Sequence, residues 1–174
     1  MRIAFTGPES SGKTTFSKWL SSELSNSHYI PEFAREYLEE KNITRASEDD
    51  FKSVVSKQCE LFNEQKLNAH EIFDTDIFVL RIWNEEVYQL KLTELEIIPT
   101  YKMDIHFLCA PDIEWEEDPL RNVPAQSERM RLFEKYKTEL IHHQTRFVIL
   151  EGTRLEKEST ILDCLKEFVT QQTL

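Results

Sequence analysis

GPESSGKT, from Gly7 to Thr14, is the stretch on which the fold turns. It follows a short apolar run, RIAFT (Arg2–Thr6), and leads straight into a helical pattern, Lys13–Leu24. The spacing Gly7-x-x-x-x-Gly12-Lys13-Thr14 suits the wrapping of backbone around a phosphate. Glycines let successive N–H groups turn inward into an anion nest. A helix that begins there aims its positive end at the same point. In such a loop the Lys13 ammonium reaches the β- and γ-phosphates, and the Thr14 hydroxyl ligates Mg²⁺. The chain has three glycines, Gly7, Gly12 and Gly152, and two of them sit here. With glycine at about 7% of average usage, the four fixed positions meet by chance at roughly one site in tens of thousands. Strand before and helix after complete the P-loop context, in which Gly7, Glu9, Ser10, Ser11, Gly12, Lys13, Thr14 and Thr15 are the expected ATP contacts.

Outward from the loop, short apolar runs alternate with helical patterns. SHYI (Ser27–Ile30) reads as a strand ended by Pro31. Ser47 opens SEDD, a helix start with acids in its first turn. Phe51, Val54, Val55, Gln58, Cys59 and Phe62 then recur at helical spacing, with only Gln58 polar. Glu71–Asp74 is a strand, and Ile77–Leu90, carrying Phe78, Ile82, Trp83 and Val87, a helix. Asp104–Ala110 is a strand stopped by Pro111. Ser127–His142 is helical, with Met130, Phe133, Tyr136, Leu140 and Ile141 on one side. Arg146–Leu150 is the last strand, and Thr153 with Glu156 forms a capping box for a final helix burying Ile161, Leu162, Leu165, Phe168 and Val169. Such alternation makes an α/β domain with a parallel sheet. Residues 111–125 are long, irregular and hold three of the six prolines, Pro111, Pro119 and Pro124; stretches of this kind are more often functional than idle.

Composition narrows the setting. The 174 residues suit one domain, and 40% hydrophobic residues suffice for a core. A net charge of −11 argues against nucleic acid and anionic membrane as main partners, since both call for a basic surface. No apolar run approaches a membrane span and MRIAFTGPES lacks the pattern of a signal peptide, so a cytoplasmic location is expected. Cys59, Cys109 and Cys164 form no CxxC pair and read as small core residues in a reduced setting.

The class of P-loop protein follows from what surrounds the loop. A GTPase switch needs Asp-x-x-Gly, yet no glycine lies between Gly12 and Gly152 and position 149 is Ile. An ABC-type signature needs glycines this chain lacks. A small kinase remains, and it requires an acceptor-side carboxylate, a Mg²⁺ carboxylate and arginines. In an open sheet these belong at the strand ends. Glu32, in PEFARE with Arg35, is an acceptor-contacting carboxylate at a strand end, or else part of a solvated helix with i,i+4 charge pairs. Asp74-Thr75-Asp76 occupies the Walker B position, where one aspartate can hold Mg²⁺ while the other caps the next helix. In WEEDPLR, Trp115 and Asp118 can engage a ring and ribose hydroxyls and Arg121 the phosphates; alternatively Trp115 anchors an acidic surface loop. Arg129 and Arg131 read as a solvated helix face, although one of them could join Arg121. Gly152 and Arg154 follow the last strand, where the adenine often passes, or form a plain turn. His142-His143 reads as a solvated helix end.

Taken together, GPESSGKTT, PEFAREYL, FDTD and CAPDIEWEEDPLR resemble the ribosylnicotinamide kinase domain of NadR-type proteins, in the same order over essentially the whole chain. That resemblance implies ATP-dependent phosphorylation of the 5′-hydroxyl of nicotinamide riboside, in NAD salvage. It implies Lys13 and Thr14 on ATP and Mg²⁺, Asp74 and Asp76 near metal and substrate, and the Trp115–Arg121 segment as a lid that contacts the riboside. NadR-type proteins usually carry an adenylyltransferase domain as well, for which 174 residues leave no room, so a free-standing kinase domain is expected.

The expectation is therefore a single α/β P-loop kinase domain over residues 1–174, a three-layer sandwich with a five-stranded parallel sheet in the order 2-3-1-4-5 and a lid around 111–131. Lys13, Glu32, Asp74 and Arg121 would be catalytic. Glu32, Arg35, Asp76, Trp115 and Asp118 would contact the acceptor, and Thr14 and Asp74 the metal. Two alternatives stand beside it: a kinase for another nucleoside or nucleotide, and a regulatory nucleotide-binding ATPase with no small-molecule acceptor.

Overall fold

The computed structural model describes residues 1–64, 69–96 and 102–171. Strands β1 (Arg2–Thr6), β2 (Ser27–Ile30), β3 (His70–Phe73), β4 (Ile105–Cys109) and β5 (Phe147–Leu150) alternate with helices. The helices are α1 (Lys13–Glu23), α2 (Phe33–Glu40), α3 (Glu48–Asn63), α4 (Ile77–Trp83), α5 (Thr93–Glu96), α6 (Gln126–His142) and α7 (Arg154–Gln171). The strands form one parallel sheet in the order β2-β3-β1-β4-β5, as the sequence predicts. β1 lies at its centre, pairing Ile3 with both Ile72 and Ile105.

Strand composition explains the layering. A parallel sheet covered on both faces needs apolar residues at successive positions, and every residue of β4 is buried. Ile3, Phe5, Ile72, Ile105 and Phe107 face α1 and α7, where Phe16, Leu20, Ile161 and Leu165 close the layer. Ala4, Phe73 and Leu108 face the other way, toward Val54, Phe62, Phe78, Tyr136 and Leu140 of α3, α4 and α6. Cys59 and Cys109 are buried and Cys164 half-buried, none of them in a disulfide. Thr153 and Glu156 form the capping box of α7, the Thr153 amide donating to Glu156 Oε2 at 2.7 Å. Leu162 and Phe168 are half-buried, and the side chain of Val169 lies outside the described residues.

Three expectations change. Met130 and Ile141 of α6 are exposed at 42% and 58%. At about 100° per residue, the centre of the buried stripe of Leu132, Phe133, Tyr136 and Leu140 lies roughly 100° or more from both. Arg129 falls at that centre instead, and it is buried. The helix from Ile77 ends as α-helix at Trp83 and continues as a π-turn, Asn84–Tyr88, closed by Gln89 at φ 54°. Val87 is consequently exposed rather than in the core. At the end of α6, His142 is exposed as expected, but His143 packs against Phe78 at 5.5 Å and meets Arg81 Nη1 at 2.8 Å.

Gln58, the polar break in the α3 stripe, is fully buried and serves the neighbouring helix. Its Oε1 accepts from the Phe33 amide at 2.8 Å, and its Nε2 donates to Pro31 O at 3.5 Å. Glu32 is the N-cap residue of α2 but makes no capping bond. Gln58 supplies the acceptor for the first amide of α2 from across the interface. Gln58→Leu strands the Phe33 amide, and a buried unmet donor costs about 1–3 kcal/mol. Urea denaturation is expected to show that loss; an unchanged midpoint would remove Gln58 from this role.

Candidate active site

The loop between β1 and α1 is held in its cradle shape by backbone geometry. Gly7 sits at φ 128°, and a Cβ there would stand 2.7 Å from the Cys109 carbonyl oxygen of the adjacent strand. Gly12, at φ 91°, is the N-cap of α1. Between them Ser10 also takes the left-handed conformation, at φ 50°. Ser11 Oγ donates to Pro8 O at 2.8 Å. Lys13 folds over the loop, its Nζ donating to Gly7 O and Pro8 O at 2.8 Å each. These carbonyls hold the ammonium beside the nest. Residues 9–15 form one wall of a cavity of about 550 Å³.

Asp74 lies just beyond β3, buried beneath α1. Its Oδ1 accepts from Ser17 Oγ at 3.1 Å and its Oδ2 from Tyr29 OH at 2.8 Å. Burial pushes its carboxyl above the usual range, while bonds from Tyr29 and Thr14 and the charge of Lys13 pull it back. The same carboxylate raises the Tyr29 hydroxyl, after burial itself. A hydroxyl and a carboxylate set close together are the hard oxygen donors that Mg²⁺ takes when it arrives with phosphates, so Thr14 and Asp74 fit that ion. No cluster of three or more His, Cys, Asp or Glu fit for a metal occurs among the described residues. Asp76 is used differently: its Oδ1 caps α4 through the Val79 amide at 3.0 Å and accepts from Thr6 Oγ1 at 3.1 Å. It is fully buried and lines no part of the cavity.

Glu32 does line the cavity. Burial raises its carboxyl; Lys13 and Arg35 oppose that shift, and Asp74 and Glu9 add to it. Glu32 and Asp74 are thus two carboxylates in one electrostatic neighbourhood with Lys13.

The 111–125 segment crosses over the loop and is tied to it. Asn122 and Val123 donate their backbone N–H groups to Glu9 Oε2 at 2.7 and 3.0 Å. Asp118 accepts from Arg35 of α2 at 2.6 Å. These two residues face each other, a pairing their positions in sequence do not reveal. Arg121 lines the cavity, donating to Glu116 O at 2.9 Å with Asp118 at 3.6 Å. Trp115 does not line the cavity; its ring is covered by the Arg129 guanidinium at 5.4 Å. Arg129 corrects the solvated-face expectation. From inside, its Nη1 donates to Ser10 O at 3.3 Å and Ile113 O at 3.4 Å, so it clamps segment to loop. Arg131 is solvated as expected, paired with Glu86 at 2.6 Å and Glu128 at 2.8 Å. At the other end, Asp112 accepts from the Gly152 amide at 2.7 Å and pairs with buried Lys157, fixing the turn after β5. Arg154, the first residue of α7, pairs with Glu158 at 2.7 Å and is exposed.

The cavity ends in an apolar wall that no motif announces. Phe51 of α3 and Tyr88 of the π-turn stack at 4.2 Å with 15° between planes, and Val54, Leu80 and Trp83 surround them. The π-turn produces this wall. π-bulges gather at functional sites, and here Tyr88 stacks on Phe51 of α3 and its hydroxyl donates to Ala46 O, just before that helix, at 3.2 Å.

A family model described as AAA domain matches residues 2–157. No curated protein matches the chain in sequence. Solved structures do match. One is a NadR protein in complex with NAD and AMP-PNP, at 23% identity and TM-score 0.67, covering 95% of this chain and 48% of that one. A NadR protein in complex with NR gives 23%, 0.66, 92% and 48% in the same terms. A deoxyadenosine kinase from M. mycoides, with products bound, gives 16%, 0.67, 96% and 100%. The chain spans about half the length of the NadR structures it matches. At these identities the likeness is one of fold: a P-loop NTPase sandwich around a five-stranded parallel sheet.

Proposed function

We propose that this chain, which belongs to the AAA domain family, transfers the terminal phosphoryl group of ATP to the 5′-hydroxyl of nicotinamide riboside. The observation that carries this is the continuity of one cavity, from the phosphate cradle past Glu32 to an aromatic wall. A hydrolase needs only the cradle and a water. An aromatic wall beyond the transfer point suits a flat base attached to a sugar. Support for the riboside comes from the two NadR proteins, one in complex with NR and one with NAD and AMP-PNP.

In this reading the nest amides and Lys13 hold the β- and γ-phosphates. Mg²⁺, held by Thr14 and Asp74, would neutralise phosphate charge. Glu32 orients the acceptor hydroxyl and receives its proton, and Arg121 leaves Glu116 for the phosphoryl group in flight. Rate comes from positioning and charge neutralisation. Asp76 supports the site as the cap of α4.

A second reading rests on the deoxyadenosine kinase, whose fold matches as well as that of the NadR proteins. In that case the acceptor is another nucleoside. ADP release with ATP·Mg²⁺ across a panel of ribosides and deoxyribosides decides between them. The expected result is stimulation by nicotinamide riboside, with the mononucleotide seen by mass. Stimulation by a different nucleoside alone overturns the acceptor. ATP binding with no stimulation by any acceptor overturns the kinase in favour of a regulatory ATPase.

A further inference from the structure

The phosphate loop carries one acid, Glu9, and a carboxylate beside an anion site weakens anion binding by its charge. Something other than phosphate must account for it. Two consecutive amides of the crossing segment, those of Asn122 and Val123, converge on the same oxygen, Oε2, at 2.7 and 3.0 Å. Hydrogen bonds to an ionised acceptor are roughly twice as strong as neutral ones. Burial pushes the Glu9 carboxyl up, while these amides, Lys13 and Arg121 hold it down.

The neighbouring residue gives this tie its meaning. Arg121 directly precedes Asn122, lines the cavity, and has its guanidinium on Glu116 O and near Asp118. The other ties of the segment act elsewhere. Arg35–Asp118 is a surface pair, and such pairs contribute little. Arg129 and Gln126 fix the segment's base through Ile113 O and Pro111 O. Among the described residues, only Glu9 joins the Arg121 end of the segment to the loop.

We propose that Glu9 is a positioning residue: by holding the amides of Asn122 and Val123 it registers the lid on the phosphate loop and sets Arg121 over the transfer path. The inference rests on the kinase reading for its catalytic consequence, but the tie itself does not.

The test uses Glu9→Ala and Glu9→Gln, each in native and Arg121→Ala backgrounds. Amide hydrogen exchange is read first, on the unliganded full chain. Glu9→Ala is expected to speed exchange at Asn122 and Val123 by about tenfold or more, since it removes their acceptor. Glu9→Gln should restore much of the protection, because one carbonyl oxygen can replace Oε2. In turnover, Glu9→Ala is expected to lower kcat by about 10- to 100-fold, as a misplaced catalytic group does. The KM for ATP should move less than about threefold, because the nest and Lys13 are untouched. Glu9→Gln recovers most of the kcat loss. In the Arg121→Ala background Glu9→Ala should add nothing further, because the residue acts through Arg121. Equal losses in both backgrounds, a loss confined to the KM for ATP, or unchanged exchange at the two amides would each overturn the inference. Faster exchange in a protein that phosphorylates no riboside or deoxyriboside overturns the kinase reading and keeps the tie.

Discussion

Lys13→Ala is expected to lower phosphoryl transfer by about a thousandfold or more while leaving the fold intact. The size follows from the charge involved. A preorganised donor at a developing anion contributes about 10²–10³ in rate, and a full positive charge on a transferring phosphoryl group 10³ or more. The fold should survive because Lys13 supports none of it. Its side chain contacts two carbonyls of its own loop, Gly7 O and Pro8 O, and adds nothing to either core layer. Removing the ammonium takes one donor from each carbonyl, while the loop keeps its other ties, Ser11 Oγ to Pro8 O and Glu9 to the crossing segment. Steady-state turnover and a thermal melt, run side by side, check both halves. Activity within tenfold of native would remove Lys13 from the site; a collapsed melt would show that the loop depends on the lysine for its shape.

Much of the architecture is legible in the chain because it rests on local patterns. RIAFT and DIHFLCA are apolar at most successive positions, as a two-faced strand must be, with Thr6 and His106 the buried polar exceptions, and both become central strands. The loop is legible because few backbones other than Gly7 and Gly12 could take those angles. What stays hidden depends on contacts between distant segments. No local pattern pairs Glu9 with Asn122, 113 residues away, or Arg35 with Asp118, 83 away. The π-turn is hidden because its side chains still repeat like a helix, and Val87 fits the stripe until the register slips by one. Arg129 is a different case, since the signal was present. It stands three residues before Leu132 and four before Phe133, on the apolar face of α6. An arginine at the centre of a buried stripe needs backbone carbonyls to bond, and the loop and the crossing segment provide them. Asp76 has the same logic: in FDTD it is the last residue before the helix, and an aspartate there caps before it binds anything else.

The choice of base between Glu32 and Asp74 yields the second large effect. Asp74 already spends its oxygens on Ser17 and Tyr29, an arrangement that keeps the carboxylate fixed. Glu32 makes no capping bond and faces the cavity. Glu32→Gln is therefore expected to lower kcat by about 10²–10⁴, the range for a general base. pH supplies an independent check. A base works deprotonated, so kcat/KM falls as pH drops through its pKa. Burial raises the Glu32 carboxyl, which places that acid limb above the ordinary glutamate range. Glu32→Gln should remove the limb along with the rate. Asp74→Asn should instead retain a limb, lose rate by a comparable factor, and demand more Mg²⁺ for what remains, since a metal ligand has been weakened. If Glu32→Gln keeps both its rate and the acid limb while Asp74→Asn loses both, the proton goes to Asp74. Glu32 is then a wall of the acceptor pocket, and the capping by Gln58 serves only the start of α2.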